Sequence, residues 1–510
     1  MIFLKYNYGF KWYKKDDMYI KGYLFDDNDV LYKEDKLINY FVEANNKKEF
    51  ENKLLKANGF FAVIMEKNDK IFCAVDRTRT FPLFYAQKDN NLYISDSVEK
   101  LSNKIGKKFI ELNEKEFLTT GYVTGNETLL ENIYQLEAGN YLVYDKNEKE
   151  LIIKEYFNYV TNHVKKDSFE KLETEFLNIL EKIAKRLIKF ANGRQIVVPL
   201  SGGYDSRLIV ALLKMYGYEN VFCFTYGKKD SFEVDISKKV ANKLGYQWYF
   251  VEYNEKNIGT NFCLNEDFMD NSLFMNNYSS MFLNQDYFAV KYLKENNLIK
   301  KDAVFVPGHS GDFLAGSHIL NCDYEDNKKQ IISDIIKKHY NLNFEINANI
   351  FKEKIKKNID YKGFGYSIYE NWDLKERQSK HIVNACKNYD FFNFEYYLPL
   401  WDKDMINFFK VLPLEMKQAQ CFYNNVIMEI FKEYKIDYRK KKTVQSRYKN
   451  FIKDVIPLHL KNLIRNVLIK DFNNFNLIKE CFYKNGIKNC KNLNINGCSV
   501  LWILKKLKEK

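Results

Sequence analysis

The sequence is most restrictive in what it lacks. No run of eighteen or more apolar residues occurs along its 510 residues, so no segment reads as a membrane-spanning helix. The N-terminus has no charged-then-apolar leader pattern, and a soluble, cytoplasmic protein is expected. Nine cysteines are scattered from Cys73 to Cys498 without one Cys-x-x-Cys pair. Their odd number fits reduced, packed thiols rather than a disulfide framework or a zinc site. There is no Gly-x-x-x-x-Gly-Lys-Ser/Thr loop, which disfavours γ-phosphate chemistry of the kinase and GTPase kind. Internal repeats and low-complexity linkers are missing as well. A concentrated basic stripe is also absent: 80 Lys and Arg against 67 Asp and Glu give +13, but the two signs interleave along the whole chain. Lys505-Lys-Leu-Lys-Glu-Lys510 reads as a solvated helix end, so no specific nucleic acid and no membrane is expected as a partner.

What is present is enough chain for two or three cores. With 46% hydrophobic and 16% aromatic residues, the composition is that of a folded rather than a disordered protein. Residues 1–155 read as short strands. Phe60-Phe-Ala-Val-Ile-Met65, Lys70-Ile-Phe-Cys-Ala-Val75, Leu83-Phe-Tyr85 and Leu92-Tyr-Ile94 are apolar or alternating runs, separated by turn residues such as Asn68-Asp69. This spacing predicts an antiparallel sheet. The pattern changes at Asp167, where Asp167-Ser-Phe-Glu170 has the form of a capping box. Apolar residues from Phe169 to Leu187 then recur at helical spacing until Asn192-Gly193. Beyond them, strands at 196–200, 221–225, 248–251 and 303–306 are interleaved with helices ending near Met215 and Gly245. Such alternation is the signature of a parallel sheet with crossover helices, and from about residue 265 the pattern is mainly helical.

Strand Ile196-Val-Val-Pro-Leu200 runs directly into Ser201-Gly-Gly-Tyr-Asp-Ser206, at the carboxyl end of a strand, where parallel sheets bind ligands. Two glycines let the backbone approach a phosphate chain closely, two serines add hydroxyl donors, and the following helix presents its positive N-terminus. Asp205 repels bare phosphate, but it is well placed if a divalent cation such as Mg²⁺ lies between them. The loop resembles the phosphate loop of the N-type ATP pyrophosphatases, which cleave ATP between the α and β phosphates and adenylate a substrate.

Together with segments further along, the chain resembles the asparagine synthetase family over nearly its whole length. Asp76-Arg-Thr-Arg-Thr-Phe-Pro-Leu-Phe-Tyr85 looks like that family's Asp-x-x-Gly-x-x-Pro-Leu-Tyr-Tyr, and Gly121 to Gly139 like its domain-junction pattern. Gly308-His-Ser-Gly-Asp-Phe-Leu-Ala-Gly316 stands where it has Gly-Glu-Gly-x-Asp-Glu-x-x-Gly-Gly. Glu395-Tyr-Tyr-Leu-Pro-Leu-Trp-Asp402 and Arg439-Lys-Lys441 stand where it has Glu-x-Arg-x-Pro-Phe-Leu-Asp and Arg-x-Lys. The resemblance implies two domains. Residues 1–155 would form a degenerate class II glutamine amidotransferase-like domain, an Ntn-hydrolase-like antiparallel sandwich of the α+β class. Residues 165–510 would form an α/β synthetase domain of the adenine nucleotide alpha hydrolase-like kind, with a parallel sheet and a helical C-terminal part. It further implies that Leu200, Ser201, Gly202, Gly203, Asp205, Ser206 and Gly308 hold ATP, that Asp205 and Asp312 share Mg²⁺, and that Lys441 neutralises charge as pyrophosphate leaves. Read from the residues alone, a helix N-cap role for Asp312 and a surface role for Lys441 stay open.

The chain also departs from the family. Glutaminase action of this class needs a Cys directly after the initiator Met, but residue 2 is Ile and no Cys precedes Cys73. Lys21-Gly22 stands where the family has Asn-Gly, and glutamine hydrolysis is therefore not expected. His309 replaces the glutamate of Gly-Glu-Gly. The related β-lactam synthetases use a Tyr-Glu pair as base at the equivalent place, and His309 and Glu395 fall on the two positions of such a dyad. Two readings stay open: His309, oriented by Glu395, deprotonates an amine attacking an acyl-adenylate, or His309 merely lines the nucleotide pocket. Arg207 and Tyr397 are expected to reshape the acceptor pocket, and His318 carries no readable role. The expected activity is ATP- and Mg²⁺-dependent joining of a small-molecule carboxylate to ammonia or an amine. Genuine asparagine synthesis and a non-catalytic nucleotide-binding scaffold are the alternatives, and a homodimer through the N-terminal half is left open.

Overall fold

The computed structural model describes residues 1–283, 285–320, 328–343, 345–438, 475–487 and 493–509. In the first part of the chain lie β1 (Ile2–Phe3), β2 (Tyr13–Lys15), β3 (Met18–Phe25), β4 (Leu31–Lys33), β5 (Asn58–Lys67) and β6 (Lys70–Val75). They are followed by β7 (Phe84–Lys88), β8 (Asn91–Ser95), β9 (Tyr134–Gln135), β10 (Asn140–Asp145) and β11 (Leu151–Glu155). One sheet has the order β11-β10-β6-β5-β3-β2, with β4 on β3, and its pairs are antiparallel. The other has the order β1-β8-β7-β9, in which only the β1–β8 pair is parallel. The expected hairpins form for a local reason. Asn68-Asp69 and Asp89-Asn90 all take positive φ, which makes two-residue turns whose twist matches that of the flanking strands.

The side-chain period of two explains why β5 is apolar on both faces. Phe60, Ala62 and Ile64 point into the main core, while Phe61, Val63 and Met65 pack on the opposite side with Leu37, Phe41, Phe50 and Leu54 of two short helices. The antiparallel sandwich anticipated from the sequence is therefore present, with a helical layer on its outer face.

After it comes α1 (Phe169–Ala191), capped by Ser168, whose side chain accepts from the Lys171 N–H, and closed by Asn192 in the left-handed region. The anticipated parallel sheet consists of β12 (Ile196–Pro199), β13 (Val221–Gly227), β14 (Gln247–Glu252), β15 (Val304–Phe305) and β16 (Glu395–Tyr396), in the order β14-β13-β12-β15-β16. Crossovers α2 (Tyr204–Met215) and α3 (Phe232–Leu244) follow β12 and β13. The rest is largely helical, including a π-helical stretch at Leu374–Ile382. Among the described residues, no helix is long and apolar enough to cross a membrane.

One apolar cluster runs through both parts of the chain. The Tyr23 ring on β3 lies 4.3 Å from Phe190 of α1 and 5.4 Å from Tyr397 beyond β16. Buried charge ties the same seam. Arg186 of α1 donates to Asp29 (2.7 Å), Asp402 (2.9 Å) and Asp404 (2.9 Å), and Asp402 also accepts from Asn58 Nδ2 at 2.9 Å. Removing one member of such a network leaves the other charge buried without compensation. Arg186→Leu is accordingly expected to cost about 3–5 kcal/mol of unfolding free energy, measured by urea denaturation.

Candidate functional site

The site forms where β12 ends. Leu200 continues the ladder: its N–H donates to Phe224 O at 2.8 Å, and its carbonyl accepts from Thr225 Oγ1 at 2.7 Å. The chain then turns through Ser201-Gly202-Gly203 into α2. The Gly203 N–H donates to Ser201 Oγ (3.1 Å), and the Ser201 N–H donates to Ser206 Oγ (3.1 Å). Gly203 occupies the N-cap position, where no side chain caps the helix, so the first-turn N–H groups of α2 open toward the loop.

The glycines divide into two kinds. A Cβ on Gly202 would meet only ordinary contacts at 3.4 Å, and one on Gly203 would lie 3.1 Å from the Ser201 hydroxyl. Neither has positive φ. Nothing in the protein itself demands glycine at these two positions, which is what a cradle for a closely approaching ligand requires. Gly308 and Gly311 are different. A Cβ on Gly308 would stand 2.4 Å from the Ser206 nitrogen, and one on Gly311 would stand 2.8 Å from Asp205 Oδ1. They let the segment after β15 lie directly on the start of α2.

That approach brings the two aspartates together. The Asp312 N–H donates to Asp205 Oδ2 at 3.0 Å, Tyr423 OH donates to Asp205 Oδ1 at 2.9 Å, and Ser317 Oγ donates to Asp312 Oδ2 at 3.0 Å. Asp312 is exposed and sits in the first turn of Gly311–Leu314, with Ser310 at the cap position, so it is not the N-cap. Burial, then the neighbouring Asp312 charge, push the Asp205 carboxyl up to about 7, against hydrogen bonds that favour ionisation. A divalent cation between them would relieve that repulsion. Among the described residues no group of three or more His, Cys, Asp or Glu could hold a metal. Two carboxylates suit Mg²⁺, which takes its remaining oxygens from phosphates and water.

The His309–Glu395 pair is not brought together. Glu395 opens β16 opposite Val304, whereas His309 follows the far end of β15. His309 lies five residues beyond Val304, the residue opposite Glu395 in the parallel register. Glu395 instead binds Arg194 Nη1 (2.5 Å) and Lys33 Nζ (3.3 Å), where it ties the two parts of the chain. His309 Nδ1 lies 3.4 Å from Cys386 Sγ. Burial holds its imidazole below the usual histidine range, opposed by Asp286 and Asp312, so the ring is neutral at pH 7.

Arg207 and Tyr397 are both taken up by packing and hydrogen bonds inside the protein. The Arg207 guanidinium is buried between the Tyr204 and Phe431 rings and donates to the carbonyls of Ile436 (3.0 Å), Tyr438 (2.8 Å) and Gly202 (3.2 Å). Tyr397 packs in the core at the seam, 5.2 Å from Phe190. His318 has a partner that sequence did not reveal: its Nδ1 lies 2.7 Å from Asp373 Oδ2, and His339 approaches the same oxygen at 3.6 Å. Gln378 of the π-helical stretch accepts from Ser310 Oγ at 2.8 Å and so braces the loop before Asp312. Tyr423, Cys386 and Gln378 have no local signal, because each reaches the site from a distant part of the chain, whereas Ser317 lies five residues from Asp312 and is marked by no motif. Lys441, with Arg439, lies outside the described residues.

Fold and site thus define a class: a parallel-sheet protein with a glycine turn and two facing aspartates at the end of its central strand, joined to a pair of mainly antiparallel sheets. Family comparison matches two segments of the chain. Residues 42–157 match the family described as glutamine amidotransferase domain, and residues 195–332 match that described as queuosine biosynthesis protein QueC. No curated protein matches the chain. Among solved structures it is similar to an NH3-dependent NAD synthetase from Campylobacter jejuni (15% identity, 43% of this chain and 96% of that one, TM-score 0.23). An NMN synthetase from Francisella tularensis aligns at 10% identity over 43% of this chain and 96% of its own (TM-score 0.22). A glutamine phosphoribosylpyrophosphate amidotransferase from B. subtilis aligns at 7% identity over 58% of this chain and 63% of its own (TM-score 0.20). Scores this low place no constraint on this chain's activity.

Proposed function

We propose that the protein is an ATP-dependent ligase of the PP-loop class, which adenylates a small-molecule carboxylate with release of pyrophosphate and transfers the acyl group to ammonia or an amine. The observation that carries this reading is the convergence of Asp205 and Asp312 at the end of β12, beside a glycine turn that the protein's own packing does not require. Ser201, Gly202, Gly203 and Ser206 would hold the phosphates through backbone N–H and hydroxyl groups, with Leu200 and Gly308 lining the nucleotide. Asp205 and Asp312 would hold Mg²⁺, which supplies charge neutralisation for the departing pyrophosphate. Neutral His309 would act on the incoming amine without help from Glu395. Asparagine synthesis itself is the finer form of this proposal, and the replacement of the Gly-Glu-Gly glutamate by His309 weighs toward another acceptor. The amidotransferase-like part, residues 1–155, would release no ammonia from glutamine, since Ile2 takes the nucleophile's place and lies on the edge strand paired with Ile94.

The test is ATP–pyrophosphate exchange with the full chain, Mg²⁺ and a panel of carboxylates that begins with aspartate. Exchange dependent on one carboxylate is expected. A protein that binds ATP yet exchanges with none would be a scaffold or act on a macromolecular acceptor.

A further inference from the structure

The cysteines carry no sequence motif, yet folding brings two of them, 218 residues apart, into contact: the Sγ atoms of Cys263 and Cys481 lie 3.3 Å from each other. Cys263 sits in the 3-10 turn Phe262–Leu264, shortly after β14, and Cys481 in the helix Phe475–Lys484. Both are buried, at 1% and 3% exposure. The rings beside them set where they meet. Phe262 lies 4.7 Å from Phe268 and 5.6 Å from Phe482, ring centre to ring centre, both edge-on. Phe482 in turn lies 5.6 Å from Trp502 of the helix Ile495–Glu509. Rings packed at these separations and angles hold defined positions, so the packing of turn on helix is what presents one sulfur to the other.

The two thiols are not equivalent. Cys481 Sγ faces Cys263 and also accepts from Asn485 Nδ2 at 3.6 Å. The hydrogen bond from the Cys263 thiol, helped by the Cys263 and Phe262 N–H groups and Asn485, holds the Cys481 thiol below the usual cysteine range against the effect of burial. The same contact, and then burial, raises Cys263 above that range. One thiol is thus set up to ionise and attack while the other stays protonated beside it, which is the division of labour of a nucleophilic and a resolving cysteine. Cys421, by contrast, is exposed and has no second sulfur against it among the described residues.

We propose that Cys263 and Cys481 are a redox-modification site, at which a hydroperoxide converts the touching thiols to a disulfide that fastens the helix Phe475–Lys484 to the turn Phe262–Leu264. In the first step the Cys481 thiolate attacks one peroxide oxygen and the O–O bond breaks. The departing oxygen takes up a proton, leaving as water when the oxidant is hydrogen peroxide, and Cys481 becomes a sulfenic acid. The Cys263 sulfur then attacks the Cys481 sulfur. The S–S bond forms, the S–O bond breaks, and the hydroxide leaves as water with the Cys263 proton. The pair loses two electrons and two protons, and the hydroperoxide is the species reduced. The sulfurs need to close from 3.3 Å to about 2 Å, a movement within reach of side-chain rotation and a small shift of the helix. Burial confines the reaction to oxidants of about the size of water, and the neighbouring thiol captures the sulfenic acid before a second oxidation.

The test uses the full chain, reduced, freed of reductant and treated with hydrogen peroxide. Remaining thiols are then alkylated in urea and the protein is digested without reductant for mass spectrometry. Peptides joined through Cys263 and Cys481 are expected, and dithiothreitol should return both thiols. Amide hydrogen exchange across Phe475–Lys484 is expected to slow by about tenfold or more in the oxidised protein, because the link opposes local opening of that helix. Cys263→Ser is expected to leave Cys481 as a sulfenic acid that dimedone traps, a species the wild type does not accumulate. Oxidation of Cys421 while Cys263 and Cys481 are recovered as free thiols would overturn the proposal. So would joined peptides that form only when peroxide is added to protein already unfolded in urea, or unchanged exchange in the oxidised helix. These three readouts use the wild-type protein and decide the matter even if the serine variant fails to fold.

Discussion

Asp205→Asn is expected to lower carboxylate-dependent ATP–pyrophosphate exchange on the order of a thousandfold while leaving the metal-free protein at least as stable as the wild type. The two effects point in opposite directions for one reason. Asp205 stands beside Asp312 with its carboxyl pushed up to about 7, so ionising it is unfavourable until a cation arrives. Asn keeps an oxygen for the Asp312 N–H and offers its amide to the Tyr423 oxygen in place of the bond that Tyr423 OH now donates, so the folded chain loses a repulsion and exchanges one hydrogen bond for its reverse. With a metal on the reacting phosphates, the missing charge is worth several kcal/mol of transition-state stabilisation, and each 1.36 kcal/mol is tenfold in rate. Exchange assays and a thermal melt in the presence of a chelator check the two arms. Parallel loss of exchange and melting temperature would mean that Asp205 holds the fold together and does not serve phosphate chemistry.

The glycines yield the second large effect. Gly308→Ala places a methyl 2.4 Å from the Ser206 backbone nitrogen, a contact that only backbone movement relieves. Overpacking of this kind costs about 1–3 kcal/mol, and the segment that would move delivers Asp312 to Asp205. Both melting temperature and exchange are therefore expected to fall. Gly203→Ala, whose methyl would meet only the Ser201 hydroxyl at 3.1 Å, is expected to leave the melt unchanged and weaken nucleotide binding, read by fluorescent nucleotide displacement. Loss of stability in Gly203→Ala, or normal exchange in Gly308→Ala, would contradict the division of the loop into a ligand-facing and a protein-facing pair.

How far this site is legible in the sequence follows from the range of the forces that build it. The strand, turn and helix from Ile196 to Met215 are specified locally, by an apolar run, two glycines and an amphipathic stretch, and they form as expected. So do the hairpins at Asn68-Asp69 and Asp89-Asn90, whose residue types tolerate left-handed backbone. Strands β2 to β4 and β10 to β11 gave weaker signals, since their patterns are short or interrupted by charge. The His309–Glu395 pairing fails for a different reason. It depends on the register between β15 and β16, which are separated by nearly ninety residues of chain and carry no local mark of how they align. Arg207 misleads in the same way: its partners, Ile436 and Tyr438, are distant carbonyls that sequence pattern does not display.

The continuous interior described above bears on how such a chain changes over generations. An accessory module joined by a tether can be discarded once its chemistry is lost. Here Tyr23 completes the packing of Phe190 and Tyr397, and Asn58 and Asp29 satisfy Asp402 and Arg186. Discarding the first sheets would strip the second half of part of its own core and strand a buried charge pair. Selection for a stable second half is therefore enough to preserve the first, whatever reaction the first performs.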